Sequence, residues 1–548
     1  MAEELGTKSG ALKVDAANEL PSGTRRGFLQ LGAVVVAGLV DGCSGGTPEP
    51  GGEGGSPGKG GATGSGGGAS GGAASGGTSN GQGGAASGGT SNGQGGASMG
   101  GRQSSGGGTS TGTGGSTSSS SGGTTSSSGG TSSGVTGGTS PGGGATSGGS
   151  TGAGGGGSSG GGWKESNTGG CTLGTVPSPT SNAKLPDPFK FISGQRLAKK
   201  EDWECLRAEL SAMAQQCIYG PKMPPPDKLT ATFSGGTVTV NMTVGSTMKS
   251  FTFKISGAGS QSSPAPVLIT CGGSSLPKLS GVAQIDMSNN SFSSEKDNSG
   301  MVKDLYGSKA AKSGALISWA WGCSRIIDAL ELLPEAGVDV KRIAVTGCSR
   351  NGKGALAMGA FDERVALTIP QEGGSGGPAL WRVSEKEKAM GQNIQESGEI
   401  VGEAKWQGGD FPTYANGKNA MLLADQHTVI ALCAPRAVLV IDNDIDWLGP
   451  VACYGGGKAA SKVYEGLGIK DRCGVSVAAN HSHCQFPSAQ QKFLDAFVNR
   501  FLKGMKVDTS GVDDFHGTNS KLKTFDESMW IDWTVPTLSG SLSWDPFA

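Results

Sequence analysis

One serine, two late histidines and a few strand-end carboxylates are the groups in this chain whose types and spacing could cleave an ester or amide. Ser349 stands in Val345-Thr346-Gly347-Cys348-Ser349-Arg350-Asn351-Gly352-Lys353-Gly354-Ala355, where the apolar run Ile343 to Thr346 meets a small-residue helix. A serine at the apex of such a strained strand-to-helix turn is lifted to the top of a sheet as a nucleophile. Asn351 replaces the second glycine of the generic elbow, and a serine capping an ordinary helix is the competing reading.

A serine nucleophile needs a base. The chain has four histidines, His427, His481, His483 and His516. His516 sits in a polar C-terminal stretch and His427 precedes the run leading to Pro435. His481 and His483 instead follow an apolar run, Val475 to Ala479, where a doubly wound sheet presents side chains at its carboxyl edge. Cys348 directly precedes the serine and Cys484 directly follows His483. A bridge between them would hold their Cα atoms roughly 4.4–6.8 Å apart and bring Ser349 and His483 into one small volume. His483 is therefore preferred to His481. The acid has two candidate positions, Glu372 after the run Val365 to Pro370, and Asp442 or Asp444 after Ala437 to Ile441. Such a carboxylate would hold the imidazole tautomer and stabilise the imidazolium. Spacing alone leaves the choice open.

The elements that must position these groups are legible as patterns. Leu197 to Cys217 has helical periodicity, while Thr230 to Val244 and Ser250 to Ser256 alternate like an antiparallel meander. Short apolar runs at 267–270, 343–346, 365–370, 437–441 and 475–479 are separated by helical stretches such as Leu316 to Leu333 and Arg350 to Phe361. That order predicts an α/β class: a mainly parallel, doubly wound sheet with antiparallel N-terminal strands, a three-layer sandwich of the α/β-hydrolase type.

Four segments resemble the glucuronoyl esterases, carbohydrate esterase family 15. They are Gly347 to Ala355, Pro370-Gln371-Glu372-Gly373-Gly374-Ser375-Gly376-Gly377, Asp446-Trp447-Leu448-Gly449-Pro450 and His483-Cys484-Gln485-Phe486-Pro487, and the likeness runs from Cys171 to Leu502. The resemblance implies Ser349 as nucleophile, His483 as base and Glu372 as acid, with Arg350 supporting the oxyanion. It also implies that Lys353, Gln395, Glu403 and Trp447 hold the uronate sugar. Lys353 lies one helical turn beyond the serine on the same face. Taken singly, each has a plain alternative as a solvated charge, a surface carboxylate or a core aromatic. The implied reaction is hydrolysis of (4-O-methyl-)glucuronate esters linking xylan side chains to lignin alcohols, with no cofactor and no metal. The rival readings are an acetyl-xylan or generic carboxylesterase and a non-catalytic, carbohydrate-binding surface lipoprotein.

Cysteine usage adds expectations. Ten of the eleven cysteines follow residue 162, and none forms a C-x-x-C pair. Cys171 with Cys205 resembles the family's first bridge. Fungal members carry a further pair at positions that here look like Leu380 and Gly456, so that bridge is absent; Cys453 and Cys473 are expected to pair instead. Cys217, Cys271, Cys323 and Cys433 have no assigned partner.

The N-terminal third differs in kind. Thr24-Arg25-Arg26-Gly27-Phe28-Leu29, followed by the apolar run Leu31 to Val40, fits a twin-arginine export signal over residues 1–43 and is too short to span a bilayer. Cys43 is placed to become the lipidated first residue of a mature lipoprotein, although Asp41 fits poorly there, and simple cleavage is the alternative. Residues 44–162 are almost wholly Gly, Ser, Thr and Ala, and a twelve-residue block at 71–82 recurs at 83–94. This composition reads as a disordered linker whose ends, as a flexible coil, would lie about 60 Å apart. Residues 163–548 have globular composition and form the catalytic domain. The expected product is an exported monomer, secreted or tethered to the cell surface or outer membrane. With 44 basic and 45 acidic residues the net charge is −1 and gives no reason to invoke nucleic acid.

Overall fold

The computed structural model describes residues 164–166 and 170–547. The expected export signal, Cys43 and the Gly/Ser/Thr-rich linker lie outside the described residues. Among the described residues no helix is long and apolar enough to cross a membrane.

The early alternating segments form a separate three-stranded antiparallel sheet, β1 (Lys228–Ser234), β2 (Thr237–Val244) and β3 (Thr247–Lys254). Gly235 and Gly236, both at positive φ, make the two-residue turn between β1 and β2. The remaining strands are β4 (Ala265–Cys271), β5 (Ala283–Met287), β6 (Val338–Cys348), β7 (Val365–Gln371), β8 (Ala437–Asn443), β9 (Cys473–Ala478) and β10 (Asp513–Phe515). They lie in the order β10-β9-β8-β7-β6-β4-β5, and every neighbouring pair is parallel. The two sheets meet through one antiparallel bridge, Ser256 with Gln284.

Period-two alternation explains why the central strands read as unbroken apolar runs. Val267, Ile269, Ile343, Val345, Val438 and Val440 pack into one core with the helices Ala315–Glu331, Arg350–Ala360 and Pro450–Leu467. Their neighbours Leu268, Ala344, Leu439 and Ile441 face the opposite side, against Leu494, Phe497, Val498 and Phe501. Both faces are covered, which is the three-layer arrangement the sequence predicts. Two strands escape the pattern. In β5 only alternate residues are buried, and β10 is three residues long and begins with two aspartates.

Strand order also fixes where a site can form. The chain passes from β4 outward to β5, then returns to place β6 on the other side of β4. Connections therefore diverge at the carboxyl ends of β4 and β6, and a doubly wound sheet opens its crevice at such a switch point.

Candidate active site

Ser349 occupies that switch point. It follows the last residue of β6, starts the helix Arg350–Ala360, and is held at φ 61°, ψ −127°. Two glycines make the turn geometrically possible. A Cβ on Gly347 would lie 2.4 Å from the Asn351 carbonyl oxygen, and one on Gly352 would lie 2.2 Å from that of Gln371. The Ser349 N–H donates to the Gln371 carbonyl at 3.0 Å, tying the apex to β7. Asn351 has a task of its own. Its Nδ2 donates to the Gly272 carbonyl at 3.2 Å and its Oδ1 accepts from Asn289 at 3.3 Å, locking the loop after β4 against the elbow. No side chain caps the elbow helix, so its first-turn N–H groups form a positive end beside the seryl hydroxyl.

Glu372 is the first residue beyond β7, buried and at φ 45°. Its Oε2 accepts from His483 Nδ1 at 2.8 Å, from the Cys484 N–H at 2.8 Å and from Asn443 Nδ2 at 3.3 Å. The other ring nitrogen, His483 Nε2, is buried and has no hydrogen-bond partner among the described residues. Cys348 and Cys484 form a disulfide with Cα atoms 5.8 Å apart, which clamps the loop bearing His483 to the end of β6. Serine, imidazole and carboxylate thus converge on one rim of the sheet. The atoms of Cys348, Glu372, His483 and Cys484 that could bind a metal lie within 4.8 Å of one another. Both sulfurs, however, are committed to the disulfide, leaving only the glutamate and histidine as donors.

The alternative acids sit elsewhere. Asp444 is occupied by the N–H groups of Thr518 and Asn519 at 2.7 and 2.9 Å. Asp442 is fully buried, burial pushes its carboxyl up to about 7, and its Oδ1 accepts from the Asn443 N–H at 2.9 Å. Neither makes a hydrogen bond to an imidazole among the described contacts. His481 lies near the other oxygen of Glu372, 3.7 Å from Nδ1 to Oε1, and accepts from Asn443 Nδ2 at 3.1 Å. His427 is buried far along the chain's fold against the Pro186 carbonyl, with burial lowering its pKa to about 4. His516 is exposed and pairs with Asp514 at 3.0 Å.

The side chains expected around a sugar divide into two groups. Trp447 stands edge-on to His483, ring centroids 4.9 Å apart, and Gln395 donates to Glu403 at 2.9 Å. The Gln395 N–H also bonds to the Trp447 carbonyl at 3.1 Å, so these three form one wall. Lys353 is buried rather than solvated. Its ammonium donates to the carbonyls of Gly373 and Ser375 at 2.6 and 2.7 Å and lies 5.2 Å from the Trp406 ring centroid. Burial lowers its pKa to about 8, with Glu403 pulling the other way. Arg350 is half exposed at the mouth of the elbow.

A sequence profile described as glucuronyl esterase, fungi matches residues 240–468, a span that includes Ser349 and Glu372. A 4-O-methyl-glucuronoyl methylesterase of Hypocrea jecorina (strain QM6a) is 44% identical over 378 residues, covering 68% of this chain and 80% of that protein. The chain belongs to the glucuronoyl esterase family. Two solved glucuronoyl esterases have matching folds. The catalytic domain from Hypocrea jecorina superposes with a TM-score of 0.63 at 43% identity, covering 67% of this chain and all of that one. A mutant from Sporotrichum thermophile, in complex with methyl 4-O-methyl-β-D-glucopyranuronate, gives 0.64 at 39% identity with the same coverage.

Within this glucuronoyl esterase fold the cysteine expectations meet different outcomes. Cys171 and Cys205 are bridged. Cys453 and Cys473 are not; both are free and buried. Cys453 lies in the first turn of the helix Pro450–Leu467 and Cys473 opens β9, while Gly457, one turn on from Cys453, packs on Val475, two residues into the strand. Helix and strand run in opposite directions in this β-α-β unit, so the two cysteines lie on opposite sides of that contact, offset by about 12 Å along the axis and beyond the reach of a bridge. Cys217, Cys271, Cys323 and Cys433 are likewise free and buried, acting as small apolar side chains. Export chemistry alone therefore overstates the disulfide content. Asn443 is the site residue that sequence reasoning passes over. Its position between Asp442 and Asp444 at a strand end was the available signal.

Proposed function

We propose that this glucuronoyl esterase cleaves esters of (4-O-methyl-)glucuronic acid through an acyl-enzyme on Ser349. The observation that carries the reading is the 2.8 Å contact between His483 Nδ1 and Glu372 Oε2, which leaves Nε2 without a hydrogen-bond partner among the described residues. His483 takes the seryl proton at Nε2 as Oγ attacks the ester carbonyl, and Glu372 stabilises the imidazolium. The oxyanion develops against the positive end of the elbow helix and the Arg350 N–H groups, a donor being worth roughly 2.7–4 kcal/mol. The alcohol departs with the proton from His483. Water, deprotonated by the same nitrogen, then releases the uronic acid and restores Ser349.

Lys353, Gln395, Glu403 and Trp447 are the proposed sugar-binding set, supplying hydrogen bonds to hydroxyls and an apolar plane for the ring. The natural substrate follows as glucuronoxylan esterified to lignin alcohols. The paired arginines and the apolar run before Cys43 support export, with secretion or surface attachment by way of the Gly/Ser/Thr-rich segment.

Steady-state hydrolysis of benzyl glucuronate tests the assignment. Ser349→Ala should abolish turnover while leaving the melting transition unchanged, and turnover retained by that variant would refute it. A benzyl glucuronate preference over an acetyl ester separates this reading from an acetyl-xylan esterase. Sugar binding without cleavage by the wild-type chain would favour a non-catalytic role.

A further inference from the structure

Arg350 carries a long side chain that is 48% exposed, a poor starting point for a group meant to meet a developing charge. Free, such a side chain would have to give up rotamer freedom in each turnover, a cost of up to about 2 kcal/mol. The fold removes that freedom beforehand through one carboxylate. Glu295 lies between the short helix Asn289–Phe292 and the helix Met301–Tyr306, and its side chain is 14% exposed. Its Oε1 accepts from an Arg350 terminal nitrogen at 2.7 Å. Its Oε2 accepts from Trp406 Nε1, also at 2.7 Å. The Glu295 carbonyl accepts from the Lys405 N–H at 2.6 Å, so backbone and side chain grip the 405–406 segment together.

The segment bearing Glu295 is itself well held. Trp319 Nε1 donates to the Ser293 carbonyl at 2.8 Å, and the Ser294 N–H donates to the Ser299 carbonyl at 2.7 Å. The carboxylate is thus fixed from behind and spends both oxygens on side chains, one at the exposed mouth of the elbow and the other buried. One of these, Arg350, flanks the nucleophile. The other, Trp406, presents its ring to the Lys353 ammonium at 5.2 Å, a distance at which the ring face attracts the cation. The Arg350 N–H groups that Glu295 does not engage have no other described partner and remain available to a ligand.

We propose that Glu295 is a positioning residue that couples the two halves of the site, holding Arg350 toward the oxyanion and Trp406 against Lys353. The proposal rests on the reading of Arg350 as an oxyanion donor. It acts by preorganisation, because the dipoles are aimed before the charge appears.

A double-mutant cycle on benzyl glucuronate tests it, with melting temperatures recorded for every variant. Glu295→Ala should lower kcat about tenfold to a hundredfold, less than outright loss of an oxyanion donor. In an Arg350→Ala background the same change should leave kcat unaltered and raise only KM, through Trp406 and Lys353. Glu295→Gln retains an acceptor for Arg350 and should recover most of kcat, which a merely structural role would not predict if the melting temperatures agree. Independent, multiplicative kcat losses in the double variant would overturn the coupling. So would a near-wild-type Arg350→Ala, and that outcome is distinguishable from failure of the functional reading, which requires an active Ser349→Ala.

Discussion

Lys353 and Arg364 are both cations with 3% of their surface exposed, one in the first turn of the elbow helix and the other shortly after its end. They therefore sit at opposite edges of the same sheet, and their surroundings differ. Arg364 donates to Asp362 at 2.8 Å, to Asp328 at 2.7 Å and to Glu331 at 3.0 Å. The network extends to Glu165, which pairs with Lys222 at 2.7 Å and also with Arg325. Burial works to raise the Glu165 pKa, yet Lys222, Arg325 and Arg364 together hold it well below the usual range. Among the described residues Lys353 makes no ion pair; its ammonium donates to the two carbonyls of the loop after Glu372 and faces the Trp406 ring. At the rear edge charge is matched by charge and the arrangement serves stability. At the catalytic rim the nearest carboxylate influence on the buried charge, that of Glu403, acts without a direct ion pair among the described residues, and backbone strain collects beside it. Ser349, Glu372, Asn480 and Cys484 all have positive φ there. Strain of about 1–3 kcal/mol per residue persists only where surrounding structure over-determines it, here through the disulfide and the β6–β7 hydrogen bonds.

The largest expected effects are the ones that break this contrast from each side. Glu372→Ala should lower kcat/KM for benzyl glucuronate by about a thousandfold to ten-thousandfold, as loss of a triad acid does, while changing stability comparatively little. Arg364→Ala should do the reverse. Removing one partner of a buried ion network costs about 3–5 kcal/mol, to be read from denaturant unfolding, with kcat per folded molecule preserved. If Arg364→Ala instead lowered kcat in the folded fraction, the division of labour between the two edges would be wrong.

A pH series sharpens the same contrast. Because burial lowers the Lys353 pKa to about 8, substrate affinity should weaken as pH rises through that value, and Lys353→Met should lose this limb. Stability should move the opposite way. Between about 8 and the usual 10.5 the unfolded chain holds a proton that the folded chain has released, so this group makes unfolding harder as pH rises. Melting curves of wild type and Lys353→Met across the window isolate the term. A KM that stays flat in the wild type up to pH 9.5 would remove Lys353 from the binding set.

Much of this contrast can be read in sequence, but unevenly. The central strands are legible because both faces are buried and the residues are β-branched, so 343–346, 365–370 and 437–441 stand out as runs. The elbow is legible because glycine is the only residue that fits at 347 and 352. Glu372 was one of two strand-end candidates, and geometry distinguishes it because β7 ends beside the disulfide while Asp444 faces Thr518. The state of Lys353 was not legible. A lysine one turn past a serine looks solvated until the loop Gly373 to Gly377 folds over it. The rear cluster was equally hidden, because Glu165, Lys222, Arg325 and Arg364 are brought together from four separate segments by packing alone. The missing bridge between Cys453 and Cys473 belongs to the same class, since an unread helix intervenes.

The smallest effect expected is at the seam between these regions. Gly456, on the helix Pro450–Leu467, approaches the loop that holds Lys353 so closely that a Cβ would lie 2.0 Å from the Pro378 carbonyl oxygen. That contact joins the helix to the loop by direct backbone approach. Gly456→Ala must push Pro378 away, at a cost of about 1–3 kcal/mol for overpacking. Some of that displacement should reach the Gly373 and Ser375 carbonyls five and three residues earlier. The expected signature is a modest loss of stability with a small rise in KM and an unchanged kcat. A fall in kcat with KM constant would mean that strain travels instead to Glu372, and that the loop transmits it past Lys353 rather than stopping there.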